Sequence, residues 1–216
     1  MNDIQIDLKA LPLHVRKYVR SEIKKCNDLG IAVHLLNKRH AYADGIRCHG
    51  FFCDHDMKLV VACCKPIEKW LPIMVHETCH RDQWSAKAKV WTRKINGEDP
   101  LTCVFEWLSG DREIPKSRLK DYLCAALDIE LDCERRSVQK IIDGDLPIDV
   151  TPYIQRSNAY VYFYLALKHT RKWYAKGRAP HAQEIVWRHM PKHFDGDYTR
   201  LPRNYKKMIL EHCYDR

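Results

Sequence analysis

The sequence predicts an α+β fold in which helices dominate and a small, mainly antiparallel sheet lies over one of them. Apolar residues recur with helical spacing over residues 11–28 and again over residues 118–142. Between them, residues 31–64 contain short apolar runs separated by polar turns, which is the pattern of strands. The remaining elements are taken in chain order.

The first third of the chain reads as a helix followed by strands. The helix over residues 11–28 carries its apolar side chains on one face, and Gly30 is a plausible stop. The strands are predicted at residues 31–36, 46–53 and 58–64. The polar turn 54–56 joins the last two strands as a hairpin.

A second helix is predicted from Pro66 to about Ala86. Proline is well tolerated at the first turn of a helix, so Pro66 is a suitable start. Pro72 lies inside the segment and predicts either a later start or a kink. Polar loops are then expected at residues 94–101 and 109–117.

The second half of the chain begins with a long helix over residues 118–142, which Gly144 and two prolines end. The Tyr-rich segment 153–172 fits a helix or a strand, and its pattern leaves both open. We therefore divide the chain at residue 150. Residues 1–150 form the predicted main domain, and residues 151–216 form a basic, aromatic-rich extension packed on it.

Composition narrows the class of protein. With 216 residues, 45% of them hydrophobic, the chain can bury a core without disulfide bonds. The ten cysteines include no C-x-x-C pair, so most are predicted to be reduced core residues. Residues 1–11 lack the apolar stretch of a signal peptide, and no apolar run reaches the ~18 residues of a membrane span. The predicted location is the cytoplasm.

Positive charge is concentrated in the last third of the sequence. The formal net charge is +9, and residues 151–216 hold 13 Lys and Arg against 5 Asp and Glu. Such a surface attracts polyanions, so a weak contact with nucleic acid or an acidic protein is predicted here. The alternative is a basic face that only keeps the protein in solution.

The most informative motif is H-E-x-x-H, formed by His76, Glu77 and His80. Residues four apart share a face of a helix, so the two imidazoles can bind one metal ion. Zn²⁺ suits two such nitrogens with a carboxylate and an open position for water. Glu77 can take a proton from that water and return it to a leaving amine. The alternative is two histidines on a solvated helix face.

A third metal ligand is predicted on the helix over residues 118–142. Its apolar stripe includes Leu123, Leu127, Leu131, Val138 and Ile141. Glu134 falls within that stripe and Glu130 at its edge, and a carboxylate on an apolar face is costly unless it is paired or bound to metal. Glu134 is the favoured ligand, with Glu130 as a second carboxylate holding a histidine. The reverse assignment stays open, and so does a buried salt bridge to Arg135, Arg136 or the basic C-terminal segment.

With these residues the chain resembles the zincin superfamily of metallopeptidases. The resemblance covers residues 11–142, from the first helix to the glutamate helix. It is strongest to gluzincins and their small intracellular relatives, including ImmA/IrrE-like and phage-encoded zincins. Metzincins are excluded because Gln83 and Ala86 replace the required Gly and His. The resemblance to SprT-type proteases is weaker because the zinc ribbon is missing. The resemblance implies a zincin-like domain and zinc-dependent hydrolysis of peptide bonds.

Several other residues are weaker candidates. Cys48, His49, Cys53 and His55 could hold a second metal ion. Tyr160, Tyr162, Tyr164 and His169 could polarise a substrate carbonyl, although an aromatic core stripe is the simpler interpretation of the tyrosines. Two other functions remain open: an amidase for non-peptide amides, and a catalytically weak scaffold that binds nucleic acid or protein.

Overall fold

A computed structural model describes residues 1–43 and 45–215 as an α+β structure rich in helices. The chain divides into two compact units. Unit 1 comprises Met1–Ala88 and Arg136–Ile148, and unit 2 comprises Lys89–Arg135 and Asp149–Arg216. The chain therefore leaves unit 1, builds much of unit 2, returns, and leaves again.

Unit 1 contains the strands and two complete helices. Helix α1 spans Leu13–Asp28 and helix α2 spans Ile67–Ser85, as the sequence predicted, with Pro72 inside α2. The strands are β1 (Asp3–Ile4), β2 (Ala32–Leu36), β3 (Ala41–Ala43), β4 (Ile46–Cys48), β5 (Gly50–Cys53) and β6 (Lys58–Ala62).

The main sheet is mixed, so the prediction of a mainly antiparallel sheet is wrong. Its strand order is β1-β2-β6-β5, in which β2 pairs in parallel with both β1 and β6. Only the predicted hairpin of β5 and β6 is antiparallel within this sheet. Strands β3 and β4 form a separate antiparallel pair, which splits the predicted strand 46–53 at His49.

The core of unit 1 lies between the main sheet and the two helices. Residues alternate along a strand, and in β2 Val33 and Leu35 are fully buried while their neighbours are half-buried. Leu59 and Val61 of β6 are equally buried. Helix α2 contributes Leu71, Met74 and Val75 to the buried side chains and contacts both β5 and β6. This packing sets the orientation of α2, which carries H-E-x-x-H.

Unit 2 is helical. Its elements are α3 (Lys89–Thr92), α4 (Pro100–Ser109), the first part of α5 (Lys116–Asp143), α6 (Val150–Thr170), a 3-10 turn (Pro180–Ala182), α7 (Glu184–Trp187) and α8 (Arg203–His212). Helix α5 begins and ends close to the predicted limits, and its last residues belong to unit 1. The ambiguous segment 153–172 is a helix, and residues on every side of it are buried. A helix surrounded by protein has no polar face, which explains the undecided pattern.

The observed division differs from the one predicted at residue 150. Residues 89–135 belong with residues 149–215 because α4 and α5 share one apolar core with α6. Helix α4 was predicted as loop at its start, yet Pro100 opens it and the Asp99 side chain accepts from the Thr102 N–H at 2.9 Å.

All ten cysteines are free thiols, six of them buried, as expected of reduced core residues. Over residues 1–43 and 45–215, none of the helices combines the length and the apolar composition that crossing a bilayer requires.

Candidate metal and catalytic site

Helix α2 brings His76 and His80 together. Their Nε2 atoms are 3.1 Å apart and their rings meet edge to face with centroids 4.6 Å apart. Two nitrogens that bind one tetrahedral Zn²⁺ at ~2.0–2.1 Å stand about 3.3 Å from each other. The two histidines therefore fit a shared zinc ion without a change in the helix.

A hydrogen bond orients the second histidine. Nδ1 of His80 lies 2.8 Å from Oε1 of Gln83, one turn further along α2. A carbonyl oxygen only accepts, so Nδ1 donates the proton of that bond. Nε2 of His80, which faces His76, is then the nitrogen available to a metal.

Glu77 follows His76 directly and is only 8% exposed. Strand β5 passes close to it at Gly50. A Cβ atom at position 50 would lie 2.6 Å from Cγ2 of Ile73, 2.9 Å from the carbonyl oxygen of Val60 and 3.4 Å from Cγ of Glu77. Glycine is therefore required here for space, because any side chain would push β5 away from α2.

The Cys48 thiol also lies in the electrostatic field of Glu77. Burial raises the pKa of Cys48, and the negative charge of Glu77 raises it further. Cys48 is thus a protonated, weakly reactive thiol beside the predicted catalytic carboxylate.

A network of charged groups also holds α2 in place. Arg81 is 1% exposed, and its Nη2 lies 2.7 Å from Oε2 of Glu22 on α1 and also contacts Asp82. Nζ of Lys140, from the last turn of α5, lies 2.7 Å from Oδ2 of Asp82 and donates to Oγ1 of Thr78 at 2.9 Å. These bonds fix the rotation of α2 relative to α1 and the end of α5.

Both carboxyl groups of this network have lowered pKa values. Burial alone would raise the pKa of Glu22 and of Asp82. The positive charges of Lys140 and Arg81 outweigh burial and bring both pKa values below the ordinary ones. Glu22 and Asp82 consequently remain ionised near neutral pH, and the network stays intact.

The two glutamates predicted as ligands are both buried, each 6% exposed. Oε2 of Glu134 accepts a hydrogen bond from Oγ of Ser157 at 2.7 Å, and Oε1 of Glu130 accepts one from the Tyr164 hydroxyl at 3.1 Å. Glu130 is as deeply buried as Glu134 rather than at the edge of the apolar stripe. The part of either residue in metal binding stays a prediction.

The tyrosines of α6 fit the simpler of their two interpretations. Tyr162 and Tyr164 are at most 2% exposed within the core of unit 2. The Tyr164 hydroxyl donates a hydrogen bond to Glu130, and the Tyr160 hydroxyl lies 3.4 Å from the Tyr164 hydroxyl. His169 is exposed at the end of α6. These contacts favour a role in packing for the tyrosines.

The cysteines and histidines around β4 and β5 do not assemble a second metal site. His49 stacks on His40 at 5.1 Å, and its Nδ1 lies 2.9 Å from Nζ of Lys65. Within the part of the chain that the structure describes, Cys48, His49, Cys53 and His55 do not bring three ligand atoms together. His49 lies between β4 and β5, and His55 lies in the turn after β5, so neither histidine shares a strand face with the cysteines.

Three contributors to the site were not predicted. Gln83 could have been found, because a residue three positions after His80 shares its helix face. Gly50 and Lys140 could not, because their contacts with α2 join segments far apart in the sequence. Neither a hairpin glycine nor a lysine near a helix end carries a local signal of such a contact.

Comparisons with protein-family models, with curated proteins and with solved structures give no match for this chain.

Proposed function

We propose that this protein is a zinc-dependent hydrolase of peptide bonds, with His76 and His80 as metal ligands and Glu77 as the catalytic base. The observation that supports this proposal is the 3.1 Å separation of the two Nε2 atoms, next to a carboxylate that is only 8% exposed.

The chemistry divides between the metal and the chain. Bound zinc would polarise a carbonyl group and acidify a water molecule. Glu77 accepts a proton from the attacking water and passes it to the nitrogen that leaves when the amide C–N bond breaks. His76 and His80 act only as neutral ligands.

Helix α5 is the proposed source of the third ligand. Glu134 is favoured because its carboxylate is buried and held by Ser157, as a ligand needs to be oriented. Glu130, held by Tyr164, is the alternative and otherwise a supporting residue. The buried thiol of Cys133 is a third candidate on the same helix. A carboxylate would give the two-histidine, one-carboxylate set of many zinc hydrolases.

The edge position of β5 favours a peptide over a small amide as substrate. Strand β5 ends the main sheet, and among the described strands it pairs only with β6. Gly50 places this strand directly beside Glu77. An edge strand offers backbone N–H and C=O groups to an extended chain, which a peptide can satisfy and a small amide cannot.

The test combines metal analysis with a cleavage screen. Purified protein should contain close to one zinc per chain by mass spectrometry. New peptide N-termini should appear in a proteome digest treated with the wild type. Glu77→Gln should keep the zinc and lose about 10²- to 10⁴-fold in rate, because glutamine cannot accept the proton.

The matched control is Glu68→Gln, which removes an exposed carboxylate from the first turn of the same helix. It should cleave at the wild-type rate. Equal cleavage by wild type and Glu77→Gln would exclude the mechanism, and cleavage confined to non-peptide amides would replace peptidase with amidase.

A second candidate function is binding of a polyanion by unit 2, with little or no hydrolysis. Seven cationic side chains of the last third form no ion pair with any residue in 1–43 or 45–215: Arg156, Lys168, Lys172, Lys176, Lys192, Arg203 and Lys206. Partial burial lowers the pKa of His169, and the charges of Lys206 and Lys168 lower it further, so these cations lie close together. Uncompensated clustered charge favours a phosphate-rich partner over simple solubility.

A further inference from the structure

We propose that Gln83 is a positioning residue that selects the tautomer of His80 and thereby prepares its Nε2 for metal binding. This inference rests on the proposed function, in which His80 is a zinc ligand. Gln83 itself would touch neither the metal nor the substrate.

The first observation is the hydrogen bond between the side chains of Gln83 and His80. Oε1 of Gln83 lies 2.8 Å from Nδ1 of His80. The oxygen cannot donate, so a neutral His80 must hold its single proton on Nδ1. Its Nε2 then presents a lone pair, and this atom is the one 3.1 Å from Nε2 of His76. In water the proton of a neutral imidazole is mostly on Nε2, so the bond reverses the intrinsic preference.

The second observation is the burial of the Gln83 amide group. The Gln83 side chain is 0% exposed, although a buried amide costs free energy that an apolar side chain of similar size would not. If only volume were needed at position 83, leucine or methionine would be the more stable choice. The amide is therefore retained for its hydrogen bonding, and the His80 imidazole is the partner it reaches along α2.

The third observation is that the Gln83 side chain is uncharged. A carboxylate at this position would also fix the tautomer, but it would add negative charge to a site that already contains Glu77 and a predicted glutamate ligand. The amide orients the imidazole without that charge. The expected result is a histidine whose ring is held in place without a further negative charge at the site.

Long-range ¹H–¹⁵N spectra of the metal-free protein at pH 8 test the tautomer directly. In the wild type His80 should carry its proton on Nδ1. Gln83→Leu removes the acceptor and should move the proton to Nε2 in a large fraction of molecules. Gln83→Glu keeps an acceptor and should restore the wild-type tautomer, which a loss of packing alone would not explain.

Zinc affinity, measured by competition with a chelator, gives the second readout. Gln83→Leu should bind zinc about 10- to 100-fold more weakly, and Gln83→Glu at least as tightly as the wild type. Gln83→Met serves in place of Gln83→Leu should the latter fold poorly.

The outcomes separate the two proposals. A wild-type His80 protonated on Nε2, or an affinity within about twofold in Gln83→Leu, would overturn the role of Gln83. A wild type with the expected tautomer that binds no zinc would overturn the proposed function and leave the orientation of His80 by Gln83 standing.

Discussion

Glu77 and Glu134 are both buried carboxylates, but their surroundings suit different tasks. Glu77 lies beside the half-buried thiol of Cys48 and the backbone of Gly50. Glu134 accepts a hydrogen bond from Ser157 that holds one of its oxygens in place. A proton acceptor benefits from the first environment and a metal ligand from the second.

If Glu134 is the third ligand, substitutions on α5 should reduce zinc affinity to different extents. Glu134→Gln should reduce zinc affinity by more than about 100-fold, whereas Glu130→Gln should reduce it by roughly 10- to 100-fold, as supporting residues do. Cys133→Ser should leave affinity unchanged. Zinc X-ray absorption on the wild type should accordingly show nitrogen and oxygen neighbours without sulfur.

Asp121→Asn, on the exposed side of α5, is the control for a lost carboxylate on this helix. A greater loss of zinc affinity in Glu130→Gln than in Glu134→Gln would reverse the roles proposed for the two glutamates. A sulfur neighbour that disappears in Cys133→Ser would assign the thiol instead.

Local spacing made part of the site predictable. His76, Glu77 and His80 follow from a five-residue motif, and the burial of Glu134 follows from its place in a helical stripe. The environment of each residue could not be predicted from the sequence, because Gly50, Cys48 and Lys140 approach α2 only after the chain has folded. The sequence periodicity also placed Glu130 at the edge of the stripe, whereas both glutamates are 6% exposed.

At the scale of elements, α2 depends on the charged network that holds it in place. Lys140→Met should lower the free energy of unfolding by about 1–3 kcal/mol, because Asp82 and Thr78 each lose a short bond to the ammonium group. Chemical denaturation at pH 7 measures this loss. Lys24→Met is the control, since it removes only an exposed i,i+4 pair with Asp28.

The same network predicts a dependence on pH. Glu22 and Asp82 have folded-state pKa values below the ordinary ones, so their stabilisation is present above the unfolded pKa values near 4. It is lost as the pH falls through the lower folded values. In Lys140→Met the folded pKa values should rise, and acid unfolding should begin at a higher pH. An identical acid midpoint in both proteins would contradict this account.

The close passage of β5 over α2 predicts a steric effect. Gly50→Ala should destabilise the protein by roughly 1–3 kcal/mol, the usual range for overpacking. Thermal unfolding measures it. Gly50→Ala combined with Ile73→Ala removes the nearest clashing atom and should recover part of the Gly50→Ala effect, although the Val60 carbonyl remains. No recovery in the double variant would mean that the side chain of Ile73 does not limit the space.

The elements themselves were predictable in proportion to their amphipathicity. Helices α1 and α5 each present one apolar face, and their limits were close to those observed. Helix α6 is buried on all sides, and β3 has three residues, so neither gives a periodic signal. The parallel pairing of β2 with β6 depends on strands more than twenty residues apart in the chain and has no local signature.

At the scale of the whole molecule, the uneven charge predicts binding that depends on salt. Lys168→Glu combined with Lys206→Glu should weaken binding of a labelled single-stranded oligonucleotide and make its salt dependence shallower, because fewer counterions are released. Fluorescence anisotropy between 50 and 200 mM salt measures both. Deleting the C-terminal residues is unsuitable, because Val186, Ile209 and Cys213 belong to the core of unit 2.

Lys17→Glu with Arg20→Glu is the matched control, since it changes the net charge equally on exposed positions of α1. Equal weakening by both double variants would show that only total charge matters. Unchanged binding across the salt series would remove unit 2 as the contact.

The return of the chain to unit 1 through residues 136–148 has a consequence for biosynthesis. The ribosome completes α2 well before it completes Lys140, whose ammonium group joins Asp82 and Thr78. Lys140 follows Asp82 by 58 residues in the sequence, which is a delay on the order of 3–12 s at roughly 5–20 residues per second. During that delay a nascent chain carrying H-E-x-x-H lacks one anchor of its helix, so the histidine pair becomes fully rigid only when the long helix α5 has emerged.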